Sequence, residues 1–486
     1  MPRGECRTHE QGRLSMSMRS TLLILITAMV WVVTIPATAS AAGWRALSDH
    51  AGRYTDEAGL VRGPDGALHV VYLDERGSND VGIKYRTLSS TGALSDPLDV
   101  IGSWDSPTNP DIELIGGVPT AIWSGLNDPT PVASGELWMS TLGGAGWNPG
   151  VVIDAAKTAY LDNASTALDA NGTLWTVFSQ GVYGMFGHMG TDPLTVDANY
   201  LIGTCCQNSG NIERDAITGA LMLNYYSNAT GLDGYWSRQI APTLEQPMLL
   251  PGQDPDESSI GHGARLAAAA RTTGGVYSAY CDVAPSCTSI RVGARQTAGL
   301  VYKFPRGVTD PSTNTIWTAA APSGRMWLSY ATKNAVYITR SNRTLTVWGP
   351  TQKLRLPGGV TNVYNTAGNG SLGPLDLFAN METTGDKNNL NVTTVRAQLV
   401  VTPAAKNVSN AKANVVKLRV TDAGDIVPGA KIRFRGVTRT TNKLGYATFV
   451  IAKNTRPGFY PVTGSATGYV TGVGSVTVVK PRRPGK

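Results

Sequence analysis

The sequence predicts an all-β chain, a seven-bladed β-propeller followed by a small β-sandwich, with six blades plus an accessory hairpin as the alternative for the body. Three observations predict it: a glycine-led strand motif that recurs at near-constant spacing, the absence of sustained helical periodicity, and a change of charge near residue 400. The motif first appears as Gly66-Ala-Leu-His-Val-Val-Tyr72. It returns at Gly117, Gly172, Gly219, Gly275, Gly324 and Gly373, spacings of 51, 55, 47, 56, 49 and 49 residues. All-strand units of about 50 residues suit propeller blades, because a single unit cannot bury both its faces and a ring of them can.

Each repeat reads alike. The glycine turn leads into an apolar strand, then a polar loop, then a strand of alternating faces such as Val81-Gly-Ile-Lys-Tyr-Arg-Thr-Leu88. A weaker outer strand follows, announced by Trp or Pro as in Gly146-Trp-Asn-Pro. Period-two alternation with Gly, Pro and Asn punctuation is the signature of strands. The seventh repeat has no clear outer strand. Gly43-Trp-Arg-Ala-Leu-Ser-Asp49 carries that pattern instead, and is expected to close the ring by completing the last blade, removing an open sheet edge.

The ends differ from the body. Residues 1–41 combine Arg3, Arg7, Arg13 and Arg19 with an apolar run and a small-residue Ala39-Ser-Ala41 site, the layout of a cleaved export signal. An uncleaved anchor is the alternative. The mature chain, 42–400 and beyond, is thus expected outside the cytoplasm, secreted or held at the cell surface, without a transmembrane segment and as a monomer. Residues 42–400 carry 23 Lys/Arg against 31 Asp/Glu, whereas 401–486 carry 15 Lys/Arg against Asp422 and Asp425 alone. Such asymmetry predicts separate partners, an anionic surface polymer for 401–486 and no nucleic acid, since no nucleic-acid motif is present. Residues 401–414 read as a connector, 415–480 as alternating strands, and 481–486 as a basic tail.

Cys205, Cys206, Cys281 and Cys287 remain after the leader. Cys281 and Cys287 flank a short loop between strands and are expected to pair, leaving Cys205 and Cys206 as a vicinal pair; cross-pairing between blades is the alternative.

The repeats resemble those of sialidase-like propellers: a glycine, an aromatic-rich strand, an Asp-containing loop and a strand of the Ile-Lys-Tyr kind, over residues 42–400. The family's Asp-box, Ser-x-Asp-x-Gly-x-Thr-Trp, is absent, and so is its Phe/Tyr-Arg-Ile-Pro motif. The series Val427-Pro-Gly-Ala, Thr441-Asn-Lys-Leu-Gly-Tyr-Ala-Thr-Phe and Gly458-Phe-Tyr-Pro-Val resembles carboxypeptidase-regulatory-like and bacterial Ig-like modules, which implies a spacer or adhesive role.

Propeller ligands bind at a channel mouth. The loops entering the innermost strands repeat an amide or acid at Asp56, Asn109, Asn163, Asn211, Asn314 and Asn365, with Trp104, Tyr160 and Tyr364 nearby. Amides offer paired donors and acceptors, and aromatic faces stack on sugar rings, so this set suits an extracellular glycan or polysaccharide. The same amides are also the residues that tight turns favour. Glycoside hydrolysis needs two carboxyls, and a lyase needs a base; Asp256, Glu257 and His262 concentrate such groups in one loop. Arg62, Arg214 and Arg265 fall on innermost strands and can line the channel. No cofactor is expected, although the Asp and Asn oxygens would suit Ca²⁺. A non-catalytic protein-binding scaffold is the third possibility.

Overall fold

A computed structural model describes residues 43–48, 50–51, 57–77, 80–126, 136–155, 161–180, 185–191, 200–201, 207–227, 234–252, 265–282, 287–306, 308, 316–384 and 387–480. The expected leader 1–41, the expected tail 481–486 and the expected Cys205–Cys206 pairing lie outside them. Among the described residues the regular structure is almost wholly strand, and no helix is long and apolar enough to cross a membrane. The protein is an all-β propeller with a second, smaller β unit behind it.

Among the described residues, seven antiparallel sheets follow one another between residues 45 and 395. The first runs Gly59–Arg62, Leu68–Gly77, Asp80–Leu88, Leu98–Trp104 from inside outward. The others repeat this meander, with innermost strands at Asp111–Ile115, Leu161–Leu168, Gln207–Arg214, Ala268–Ala270, Ile316–Ala321 and Val360–Asn369. Each innermost strand lies against the next, and the last returns to the first, so the cycle is closed. In the seventh sheet the outermost place is taken by Arg45–Ser48, which pairs antiparallel with Lys387–Val395.

The repeated glycine has a single backbone role. All seven hold φ between 72° and 106°, the left-handed region that an L side chain enters at a cost, and each sits in the turn between the first and second strands of its blade. The apolar strand after the glycine, with every side chain of Leu221–Ser227 but Met222 buried, is sandwiched between neighbouring blades. The wedge between the first and second blades shows the packing: Val71, Ile83 and Tyr85 meet Ile112 and Trp123. Trp104, expected near the channel mouth, belongs here instead. Its ring lies edge-on to Trp123 and Trp138, with centroids 5.7 and 4.9 Å away, because burying an indole against two others removes more apolar surface from water than a rim position would. Cys281 and Cys287 form a disulfide that closes the loop between two strands of the fifth blade.

Residues 400–479 build two further sheets around one core that includes Leu418, Ile432, Phe434, Phe449 and Val476. The expected connector 401–414 is not a connector. Val400–Pro403 pairs with Asn414–Asp422, and Asn407–Ser409 pairs in parallel with Gly472–Val479, so two strands of the second unit come from it. Val401 and Val408 supply the apolar groups that the expectation overlooked among the Ala, Asn and Lys of this stretch.

The second unit docks on the sixth blade through charge. Arg340 donates to Asp422 at 2.6 Å, and Arg325 reaches Asp422 at 3.3 Å and Asp425 at 2.7 Å. The Arg340 guanidinium also lies over the rings of Trp327 and Tyr469, 5.1 and 5.5 Å from their centroids. Asp422 is 1 % exposed, so losing Arg340 leaves its buried charge to the longer Arg325 contact. Arg340→Met is expected to destabilise the protein by about 3 kcal/mol, and Arg340→Met with Asp422→Asn to recover most of it. Urea unfolding of the two variants checks this.

Candidate functional site

Every innermost strand ends at a repeat-glycine turn, so the seven turns gather at one mouth of the channel. A cavity of about 320 Å³ opens toward it, lined by residues from all seven innermost strands and, of the turns after them, by Gly370 and Ser371. The expected site lay at the other end, on the loops that enter those strands. Of its members, Asp56, Tyr160, Asp256, Glu257, His262 and Asn314 lie outside the described residues. Asn163 falls on Leu161–Leu168, and Tyr364 is half-buried on Val360–Asn369.

Asn109, Asn211 and Asn365 are 2 %, 4 % and 1 % exposed. The Asn109 side-chain oxygen accepts the Glu57 N–H at 3.1 Å, bridging the first and second blades. Asn211 donates to the Leu266 carbonyl at 2.8 Å, bridging the fourth and fifth. Irregular pairing recurs beside these amides, between Asp162 and Ser165, Asn208 and Asn211, and Val363 and Asn365. A bulge leaves backbone groups without ladder partners, and a short amide supplies them. Asn109 and Asn211 thus act as inter-blade fastenings, and Asn211 also lines the cavity.

Below the bulges, one side chain crosses the channel. Arg265, 3 % exposed, donates from Nε to the Ala164 carbonyl at 2.9 Å and from an Nη to the Pro110 carbonyl at 2.7 Å. Its backbone N–H donates to the Glu57 carboxylate at 3.1 Å, and Asp111 lies 4.0 Å from the guanidinium. It joins the fifth blade to the first three. Arg62 fastens the seam between the seventh and first blades through Asp376 at 2.6 Å and the Asn369 side-chain oxygen at 3.1 Å. Arg214, with Arg62 and Arg265, also lines the cavity, as the repeat phase implied.

The carboxyls of the cavity are Asp111, Glu113 and Glu213. Asp111 accepts the Thr166 N–H at 2.8 Å. Burial pushes Glu113 up to about 7; the Leu114 N–H and Arg214 oppose this, and the charge of Asp111 adds to it. Burial pushes Glu213 further, to about 8, with Asp111 and Glu113 adding and a hydrogen bond from the Ala270 N–H opposing. Near neutrality Glu113 is therefore about half protonated and Glu213 more so, and both can donate as well as accept. Trp317 gives the wall an aromatic side chain, its indole N–H held by the Gly368 carbonyl at 3.1 Å. Glu113 and Glu213 escaped the sequence reading, although Asp111-Ile-Glu113 alternates on an innermost strand and so places two acids on one face. Among the described residues no group of three or more His, Cys, Asp or Glu is arranged to hold a metal ion.

No protein-family model matches the chain, and no curated protein matches it. Solved structures with a similar course include a puromycin-hydrolysing peptidase of Mycobacterium tuberculosis, at 11 % identity and TM-score 0.45 over 82 % of this chain and 56 % of that one. A Dyadobacter fermentans protein of unknown function aligns at 10 % identity and TM-score 0.40 over 73 % of this chain and 100 % of its own. A Trypanosoma rangeli sialidase in complex with the inhibitor DANA aligns at 8 % identity and TM-score 0.39 over 70 % and 55 %. Likeness this distant carries no argument about activity, and the fold rests on the strand pairing itself.

Two outcomes follow from the channel. Arg265→Met removes a buried cation with two ties to backbone carbonyls and is expected to cost about 3–5 kcal/mol in urea unfolding. Arg265→Lys should recover less than half of that, since an ammonium cannot reproduce the planar fork. Raised carboxyl pKa values mean that the folded state holds protons the unfolded state has released. Stability from Glu113 and Glu213 is therefore present at pH 4 and lost as pH rises through 7 and 8. Glu113→Gln with Glu213→Gln should flatten the fall in thermal midpoint between pH 5 and 9.

Proposed function

We propose that the protein is an exported glycan-binding propeller that takes a sugar unit at the glycine-turn mouth of its channel. One observation carries the reading: a 320 Å³ cavity whose polar wall has donors and acceptors on Glu113, Glu213, Asp111 and Arg214, beside the aromatic wall of Trp317. A pyranose presents hydroxyls around its edge and C–H groups on its faces, and this pairing of walls suits both. Half-protonated carboxyls bind hydroxyls in either sense without the full desolvation of a charge. Glycan-array screening of the full chain, followed by titration calorimetry, tests it. Trp317→Ala and Glu113→Gln with Glu213→Gln should each weaken binding at least about ten-fold. Absence of binding to any glycan would sink the reading.

A hydrolase is the second reading, favoured by the high pKa of Glu213, which would serve as proton donor at neutral pH with Asp111 as the second carboxyl of the cavity. Depolymerisation of a polysaccharide that Glu213→Gln abolishes while binding survives would replace the first reading with this one.

A further inference from the structure

We propose that the open edge of the C-terminal unit is a binding surface for an anionic polysaccharide, with Arg435 and Arg439 as its cationic contacts. The first support is where the acids of this unit go. Residues 401–486 contain two, Asp422 and Asp425, and both face the sixth blade, paired with Arg340 and Arg325. Docking on the propeller therefore pairs both negative side chains of this unit with propeller arginines, burying Asp422 and leaving Asp425 21 % exposed. Its described Lys and Arg are exposed, apart from the half-buried Arg419. Unlike an ordinary solvated surface, on which charges of both signs are interspersed, this one presents a field of one sign.

The second support is a groove within that field. The two sheets each end in an unpartnered strand on the same side, Val437–Thr440 in one and Tyr446–Ile451 in the other. Between them lies a cavity of about 320 Å³ lined by Phe434, Arg435, Val437, Arg439, Phe449 and Val450. All four residues of Val437–Thr440 are exposed, and Val437 and Val450 are 50 % and 62 % exposed. The Arg439 guanidinium lies over the Phe449 ring and that of Arg435 over Tyr460, 5.7 and 5.1 Å from the centroids. Stacking on a ring fixes each planar fork; Arg435 gives one donor to the Thr455 hydroxyl at 3.3 Å, and the remaining edge donors face a carboxylate or phosphate. Guanidinium groups over apolar ring surface suit a polymer that alternates anionic groups with sugar faces. Base-specific readout is not provided, since no element here has the form of a groove-entering helix or a ring-stacking strand platform.

This surface is independent of the channel, so either proposal can fail alone. The test is retention of the full chain on immobilised polygalacturonate and on a poly(glycerol phosphate), with neutral dextran as the blank. Retention should fall with salt, and Arg435→Gln with Arg439→Gln should weaken it about ten-fold, as expected for two contacts of under about 1 kcal/mol each. Arg435→Lys with Arg439→Lys should restore much of it. Retention on polygalacturonate is expected, and retention on the poly(glycerol phosphate) alone, which has no sugar faces, would overturn the proposal. Lys406→Gln with Lys412→Gln, at the opposite edge strand Asn407–Ser409, should leave retention unchanged. If the glutamine pair loses the fold, polymer protection of Arg435 and Arg439 in the native chain against phenylglyoxal is read instead. Equal losses from both pairs, no protection, or duplex DNA bound as tightly at matched salt would overturn the proposal.

Discussion

The ring depends on Arg265. Seven sheets meeting about an axis bring their innermost backbones close together, and irregular pairing there leaves carbonyls with no ladder partner. Water cannot reach all of them, and an unpaired carbonyl costs more than a hydrogen bond returns. One guanidinium, with its donors in a rigid plane, answers two of these carbonyls at once, while the backbone N–H of the same residue holds Glu57. Four blades thus meet at a single residue. The remaining seams are closed in smaller pieces: Asp111 to Thr166, Arg271 to the Gly324 carbonyl, Trp317 to the Gly368 carbonyl and Arg62 to Asp376.

That plug also divides the channel. On one side are the loops that enter the innermost strands; on the other, the cavity with Glu113, Glu213 and Trp317. Because these acids stand on strands and their neighbours are backbone amides and a neighbouring blade, they are positioned by the same pairing that builds the fold. The raised pKa values follow from the same geometry, since a carboxyl fixed against a channel wall cannot turn away to reach bulk water.

Much of the fold was legible because the repeat glycine does one job seven times. A residue required for its positive φ leaves a regular mark on the sequence, and the mark sets the phase of every strand around it. The site was less legible, for a reason that the amides make plain. Asn109 and Asn211 recur because bulged strands need short side chains to bridge blades, which produces the same periodicity that a ring of ligand contacts would. Glu113 and Glu213 occur once each, in two blades of seven, so no periodicity announces them. The stretch 401–414 misled through composition: Val401 and Val408 are few, but each falls on the inward face of a strand. Asp422 and Asp425 were visible as an oddity of charge, and only the docking against Arg325 and Arg340 gives that oddity a meaning.

The pairing of Arg45–Ser48 with Lys387–Val395 has a consequence for how the chain is made. A strand near the start must wait for one more than 340 residues later before it has a partner, and until then six sheets stand as an open arc with two raw edges. Loop closure of that length is slow and unrewarded until its last step. The arc becomes a ring only when nearly all of the propeller has been synthesised, so this protein acquires its final shape in one late event, and a chain interrupted before residue 387 is left with exposed edges that invite pairing with its neighbours.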